Sequence, residues 1–446
     1  MQVKVKPWVF WVVLLSPILA AGLTILYLRE ENERGERDWA RCQGDLLAKG
    51  QSINWNEYVP PPIPADRNFF TAPKMQTWFV KNRTNTNNEL ASALANPKSE
   101  APVTNPAEAA AYLAWVGKFE PQFDLIRQAL RRPEQRMDGA YSDPTDIPVL
   151  AFPALRAVSE TLSQKAKCEL LLQQPEKALA DLSLLLGLSR IAEPPPRVPA
   201  GTMMAAILKD AMVAAYSQDA AMGIQHHAWN ETQLAVLAGQ MEHIDLLPSL
   251  AGAVCYDRVS TCYTVENEWT TGEKHSVGPV ILYGYLCENL VAISDWDERT
   301  VESIDLRAHR MRSDKINAVE AEVAGKHPNA RNGVTTVLLN LRACKTIAIG
   351  QVLVDQTQIA CALERYHLAV GLYPTSLATL VPRYLPQIPS DIFDGKPMTY
   401  VPKWPQKFLL YSVGWNETDD GGTIAHKNDG SEDLTKGDWV WHYSPD

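Results

Sequence analysis

The sequence lacks the short motifs that identify the common enzyme and zinc-binding classes. It has no C-x-x-C pair among its seven cysteines, no G-x-S-x-G turn, no phosphate-binding loop and no H-E-x-x-H helix. It also has no long lysine and arginine run outside the N-terminal flank, and its formal net charge is −10 over 446 residues. Because phosphate binding requires a basic surface, this charge predicts no nucleic-acid partner.

What the sequence does contain is one unbroken apolar run, residues 8–28, without an ionisable side chain. A helix of this length covers roughly 30 Å, about the thickness of a bilayer's hydrocarbon core. A cleaved signal peptide is the alternative, but its apolar region should span only about 7–15 residues and end in small residues. Here Ala20, Ala21 and Gly22 are followed by further apolar residues. We therefore predict an uncleaved transmembrane helix, residues 1–28, in contact with membrane lipid.

A second apolar stretch lies at residues 333–354 and is interrupted by Arg342 and Lys345. Placing these two charges at the centre of a bilayer would cost several kcal/mol, at roughly 3 kcal/mol each. This stretch is therefore predicted to be a helix of the soluble body, and the chain is predicted to cross the membrane once.

The predicted fold class is mainly α, in four segments. The proline cluster at residues 60–64 favours extended backbone, and regular helical signals begin at Asn105. The predicted segments are an N-terminal transmembrane helix (1–28), a juxtamembrane helix with a proline-rich extended segment (29–104), an α-helical domain (105–330), and a long helix followed by a small α+β module with a short antiparallel sheet (331–446).

One part of the helical domain resembles a tetratricopeptide-like hairpin. Leu155, Val158 and Leu162 recur at helical spacing before the break at residues 173–175 (Gln-Gln-Pro), and a second leucine-rich helix follows. Since no second copy occurs at a fixed period, an ordinary antiparallel helix pair is the favoured interpretation.

The last hundred residues change character. A long helix is predicted to end at Gly371, and short strands are predicted over residues 398–401, 408–413 and 438–443. The turns between these strands are rich in glycine, aspartate, asparagine and proline. This pattern predicts a small α+β module at the C-terminal end.

This module, residues 356–441, resembles the C-terminal part of type II secretion major pseudopilins. Those proteins have a long helix ending in G-x-Y-P, a short L-x-x-L-V helix, and an L-Y-S-x-G turn into an acidic, glycine-rich loop. The matching positions are Gly371, Tyr373, Pro374, Leu377, Leu380, Val381, Leu410, Tyr411, Ser412 and Gly414. The whole chain also resembles a group of uncharacterised bacterial single-pass membrane proteins that carry this ending and close in a GDWVW-like strand.

The resemblance implies an orientation for the anchor. The flanking charges are nearly balanced, with Lys4 and Lys6 before the apolar run and Arg29, Arg34 and Arg37 after it. Pseudopilin heads face away from the cytoplasm, so we expect an inner-membrane protein with a periplasmic body. The chain lacks the leader, the cleavage site and the helix Glu of pseudopilins, so the resemblance does not extend to a processed filament subunit.

The resemblance also implies a calcium site, because the acidic loop of major pseudopilins holds a calcium ion. The matching residues here are Asn416, Asp419, Asp420 and Asp433. Calcium prefers six to eight oxygen ligands, which carboxylates and loop carbonyls can supply. The alternative is a solvated hairpin loop in which aspartate and glycine simply form the turns.

His226 and His227 form the only adjacent histidine pair. Neighbouring residues project in different directions from a helix, so the pair is predicted to be a polar turn between helices rather than a metal site.

The favoured functional hypothesis is a membrane-anchored interaction or assembly protein with envelope or secretion-system proteins as partners. Helical arrays present extended concave surfaces, which suit that role. The alternative is an extracytoplasmic enzyme, such as an envelope hydrolase, in which a cleft gathers carboxylates from separate helices. A calcium-stabilised structural protein is a third possibility that overlaps with the first.

Overall fold

The computed structural model describes residues 7–81, 88–95, 103, 105–271, 277–325, 331–403 and 407–441. Lys4 and Lys6, which bear on the predicted orientation, lie outside the described residues. The helices are α1 (Pro7–Ala48), α2 (Met75–Phe79), α3 (Glu89–Leu94), α4 (Pro106–Val116), α5 (Glu120–Ala129), α6 (Phe152–Leu171), α7 (Pro175–Ser189), α8 (Met203–Gln225), α9 (Glu231–Met241), α10 (Leu247–Thr271), α11 (Val277–Glu302), α12 (Ser313–Gly325) and α13 (Arg331–Val370). The strands are β1 (Ile304–Asp305), β2 (Arg310–Met311), β3 (Thr399–Lys403), β4 (Lys407–Ser412), β5 (Ile424–His426), β6 (Glu432–Gly437) and β7 (Trp439–Val440).

The prediction of a mainly α protein with short antiparallel sheets is confirmed. The predicted break between α6 and α7 lies at Gln173, whose φ of +57° reverses the chain. Asn105 caps α4 by accepting a hydrogen bond from the backbone N–H of Glu108. Asn230 and Gln233 form a reciprocal capping box at the start of α9. These helix starts are set by local hydrogen bonding, which is why the sequence predicts them.

Helix α1 is continuous over 42 residues and has two different halves. In its first half the described apolar side chains point outward, each 52–66% exposed. They are Trp11, Val12, Leu15, Ile18, Leu19, Leu23, Ile25, Leu26 and Tyr27. Its second half packs along α11. The first half is therefore an uncovered apolar rod, whereas the second half belongs to the body.

Two glycines let α1 approach α11 closely. A Cβ atom on Gly35 would lie 2.4 Å from the backbone oxygen of Gly284, so a side chain is excluded at this crossing. Beside it, the backbone N–H of Gly284 donates to Oδ1 of Asn32 over 2.6 Å. Further along, Nε1 of the buried Trp39 donates to Oε1 of Glu266 over 2.6 Å. Close packing and specific hydrogen bonds thus hold the second half of α1 in one orientation.

Among the described side chains, the helix long and apolar enough to cross a membrane is the Thr335–Val370 part of α13. Of its most apolar stretch, 61% is buried in the body. The core helix of a soluble protein can be equally long and apolar, and Arg342 and Lys345 lie within this one. The predicted span at residues 8–28 includes side chains outside the described residues and stays a prediction.

One continuous hydrophobic core joins the helices to the C-terminal module, from Phe69 to Trp441. Helix α13 packs on α8, α9, α10 and α11, and it also contacts β4. The segment predicted to be proline-rich and extended, within residues 29–104, also contains α2 and α3 and contributes buried aromatic side chains such as Trp78 and Phe79. The predicted domain boundaries at residues 104 and 330 lie outside the described residues.

The C-terminal module has a three-stranded antiparallel sheet in the order β3-β4-β7. Tyr400 pairs with Leu410 between the first two strands, and Ser412 pairs with Trp439 between the last two. The predicted strand at 438–443 is shorter in its described part, because β7 covers two residues only. Two hairpins were missed, β1–β2 and β5–β6, because their short polar strands lack the alternating apolar pattern.

Candidate functional site

Three of the four predicted calcium ligands lie together in the loop between β4 and β5. Nδ2 of Asn416 donates to Oδ2 of Asp420 over 2.8 Å. Asp419 accepts from the hydroxyl of Tyr411 over 2.9 Å and from the backbone N–H of Gly421 over 2.9 Å. These oxygens are engaged in hydrogen bonds that shape the loop.

The fourth predicted ligand, Asp433, lies on β6. Its Oδ1 accepts from the backbone N–H and the hydroxyl of Thr435, and these bonds hold the pKa of Asp433 below its usual value. Asp438, which was not among the predicted ligands, accepts hydrogen bonds from the backbone N–H groups of Asp420 and Gly422, the latter over 2.6 Å. Hydrogen bonds within the chain account for the described loop geometry without an ion. The calcium site therefore stays a prediction.

A charged cleft of about 380 Å³ lies where α5, α6 and α7 meet. Lys165 contacts Glu120 over 3.0 Å and Asp181 over 2.9 Å, and Arg127 contacts the same two carboxylates over 2.7 and 3.1 Å. Burial alone would lower the pKa of Lys165, but the Asp181 carboxylate beside it raises the pKa above its usual value. The four charges form a paired network that joins the three helices.

Glu169 is the buried carboxyl group beside this network. Only 2% of it is exposed, and burial together with the negative charge of Asp181 raises the pKa of Glu169 well above its usual range. A carboxylic acid that stays protonated near neutral pH can act as a general acid, although buried structural networks shift pKa values in the same way.

A second cluster lies at the C-terminal end of α13. Glu364 and His367 are three residues apart and therefore share one face of the helix. Gly371, with a φ of +84°, reverses the chain directly after the helix and brings Tyr373 back over the same face. The hydroxyl of Tyr373 donates to Oε2 of Glu364 over 2.8 Å, and its ring stacks on that of His367 at a centroid distance of 4.7 Å.

His227 reaches this cluster from the turn between α8 and α9. Its backbone has a φ of +48°, and its Nδ1 lies 2.6 Å from Oε1 of Glu364. Glu364 is 1% exposed, whereas the side chain of His227 is 44% exposed. The prediction of a turn at this histidine pair is confirmed, but the turn directs one imidazole onto a buried carboxylate.

Among the described residues, His227, Glu364 and His367 are the one group of three histidine, cysteine or acidic side chains whose ligand atoms all lie within 4.8 Å of one another. This group was not predicted from the sequence, because His227 is 137 residues from Glu364. The available signal was the E-x-x-H spacing one turn before G-x-Y, which places two metal-binding side chains on one helix face.

An apolar cavity of about 110 Å³ lies beside the proline-rich segment. Its walls include Tyr58, Pro60, Tyr141, Pro148 and Met204. Met204 is 58% exposed, so part of the apolar lining of this cavity faces solvent.

Comparison of the chain with protein-family models, with curated proteins and with solved structures found no match. The resemblance to pseudopilins therefore stays a prediction.

Proposed function

We propose that this chain is a single-pass protein of the bacterial inner membrane whose periplasmic body serves as an interaction or assembly module. The observation that carries the proposal is the contrast within α1, which is apolar and exposed in its first half and packed on the body in its second. An exposed apolar rod of this length is costly in water and stable in a bilayer.

The body's location outside the cytoplasm and its assembly role are supported by the pseudopilin-like ending. The apolar cavity beside Tyr58 and Met204 supplies a concave surface of the kind that binds apolar side chains of a partner. The partners proposed on this basis are envelope or secretion-system proteins.

The anchor is tested with the full chain and with charges placed in the exposed half of α1. The variant Leu19→Arg/Leu23→Arg places two charges within the apolar run, at a cost of roughly 3 kcal/mol each in a bilayer. Leu47→Arg is the matched control, because Leu47 is an exposed leucine of the same helix beyond the apolar run. After an alkaline carbonate wash, the wild type and the control should stay with the membrane, and the double variant should enter the soluble fraction.

Release of the wild-type chain by carbonate would refute the anchor. Protease added to spheroplasts should degrade the body, and resistance of the body would place it in the cytoplasm. Purification of the chain in mild detergent should bring a stoichiometric envelope partner with it.

The enzymatic alternative is favoured by one observation, the cleft that gathers Glu120, Glu169 and Asp181 from three helices. Against it, Glu120 and Asp181 are each paired with both Lys165 and Arg127. Two of the three carboxylates are therefore committed to joining helices, so the interaction role is preferred. A partnerless protein that hydrolyses envelope material, with activity lost in Glu169→Gln, would reverse this preference.

A further inference from the structure

We propose that His227, Glu364 and His367 bind a zinc-class divalent metal ion. Two imidazole nitrogens and one carboxylate oxygen are ligands that zinc prefers, and three protein ligands leave a fourth position for water. The three ligand atoms come from two separate parts of the fold, the α8–α9 turn and the end of α13. This site is independent of the membrane anchor and of the acidic loop.

The contact between His227 and Glu364 alone would be an ordinary histidine–carboxylate pair and would not indicate a metal ion. The environment of His367 is what such a pair does not explain. Both ring nitrogens of His367, however, are buried and make no hydrogen bond within the described part of the chain. A buried polar atom without a partner costs free energy, and a metal ion would satisfy one of these two nitrogens.

The surroundings of Glu364 match those of a metal-binding carboxylate. Tyr373 holds Oε2, so Oε1 is the oxygen that faces His227 and is placed to bind the ion. Metal-binding carboxylates are commonly oriented by such a hydrogen bond from a neighbouring group. The stacked rings of Tyr373 and His367 also fix the plane of the second imidazole.

Binding requires the three ligand atoms to rearrange by roughly 1 Å. Ligand atoms about 2.1 Å from zinc in a tetrahedral site are roughly 3.4 Å apart, whereas the present atoms lie within 4.8 Å of one another and the closest pair, Nδ1 of His227 and Oε1 of Glu364, is 2.6 Å apart. His227 can supply the movement, because its side chain is 44% exposed at a turn between helices. The same exposure opens the site to solvent on one side, where the fourth ligand would be water.

Metal binding is tested on the detergent-solubilised full chain, purified through a tag without histidine. After removal of bound metal with EDTA, titration with Zn²⁺ should show one ion per chain, and Co²⁺ should give the ligand-field absorption of a four-coordinate site. His227→Gln, Glu364→Gln and His367→Gln should each lose this absorption. Tyr373→Phe should retain it and bind roughly 10-fold more weakly.

His226→Gln is the matched control, because His226 is the exposed neighbour of His227 and is not one of the three proposed ligands. It should bind like the wild type, and circular dichroism should show that every variant keeps its helical content. Zn²⁺ should raise the melting temperature of the wild type and of His226→Gln but not that of His367→Gln. Absence of stoichiometric binding in the wild type, or unchanged binding in His367→Gln, would overturn the proposal.

Discussion

Helices α1 and α13 are nearly equal in length, 42 and 40 residues, yet their apolar surfaces meet opposite environments. The described apolar side chains of α1 between Trp11 and Tyr27 are exposed, whereas residues Ile359 to Leu363 of α13 are completely buried. Helix α13 is also long and apolar enough to cross a membrane, yet it lies in the core of the body. The hydropathy of a helix therefore indicates that its side chains avoid water. Whether protein or lipid covers those side chains depends on what the helix packs against.

The two helices also differ in the polar residues that they contain. The apolar run of α1 has no charged side chain. Helix α13 instead buries Asn340, Gln351, Asp355 and Glu364. Gln351, for example, accepts from the backbone N–H of Leu246 over 2.8 Å. A protein core can supply such partners, whereas lipid cannot.

The largest effect is expected where α13 meets α8. A Cβ atom on Gly350 would lie 1.8 Å from Oδ1 of the buried Asp210, so Gly350→Ala forces this carboxylate to move within a packed core. We expect a loss of about 3 kcal/mol in the free energy of unfolding, measured by urea denaturation of the detergent-solubilised chain. Gly22→Ala on α1 is the control, because nothing lies within 4 Å of its Cβ position. If Gly350→Ala were as stable as Gly22→Ala, close packing would not distinguish α13 from the exposed half of α1.

Asp210 itself should produce a somewhat smaller, pH-dependent effect. Burial raises the pKa of Asp210 to about 7, against about 3.9 in an unfolded chain. Between these values the folded protein holds a proton that the unfolded chain releases, so stability falls as pH rises towards 7. From pH 5 to pH 7.5, Asp210→Asn should lose about 2 kcal/mol less stability than the wild type.

The control for this pH series is Asp66→Asn, which alters an exposed carboxylate. Its stability should follow that of the wild type at every pH. If Asp210→Asn also followed the wild type, Asp210 would not be held in a low-dielectric environment between α8 and α13.

The smallest effect is expected at the crossing of α1 with α11. Gly35→Ala places a methyl group against the backbone of Gly284 and should cost about 1 kcal/mol, because this strain is confined to the contact of α1 with α11 at the edge of the body. Hydrogen exchange of backbone amides in residues 31–48 should become faster. Gly44→Ala, with nothing within 4 Å of its Cβ position, should leave exchange unchanged. Slow exchange in Gly35→Ala would show that the second half of α1 is held by other contacts.

The sequence predicts the elements that are determined locally. The cap at Asn105 and the break at Gln173 depend on neighbours only a few residues away. The hairpin of β5 and β6 was missed because its short strands lack the alternating apolar pattern that marks a strand.

The candidate metal site could be predicted only in part. Glu364 and His367 are recognisable as an i, i+3 pair on a long helix. Their third partner, His227, is placed by the packing of α13 against the end of α8, which no periodicity encodes. Likewise, the unpartnered nitrogens of His367 become visible only when the surrounding chain is in place.

The packing of α1 on α11 also limits how far the body can move away from the membrane. The proposed span ends at residue 28, and by Glu31 and Asn32 the backbone of α1 lies in close contact with α11, where a Cβ on Gly284 would meet it. Three helical residues advance by about 4.5 Å, less than one turn. With no flexible tether, the body would sit on the bilayer surface with one face always turned towards the lipid. It would meet its partners by lateral diffusion in two dimensions, and would bind only those whose own sites lie at the same height above the membrane.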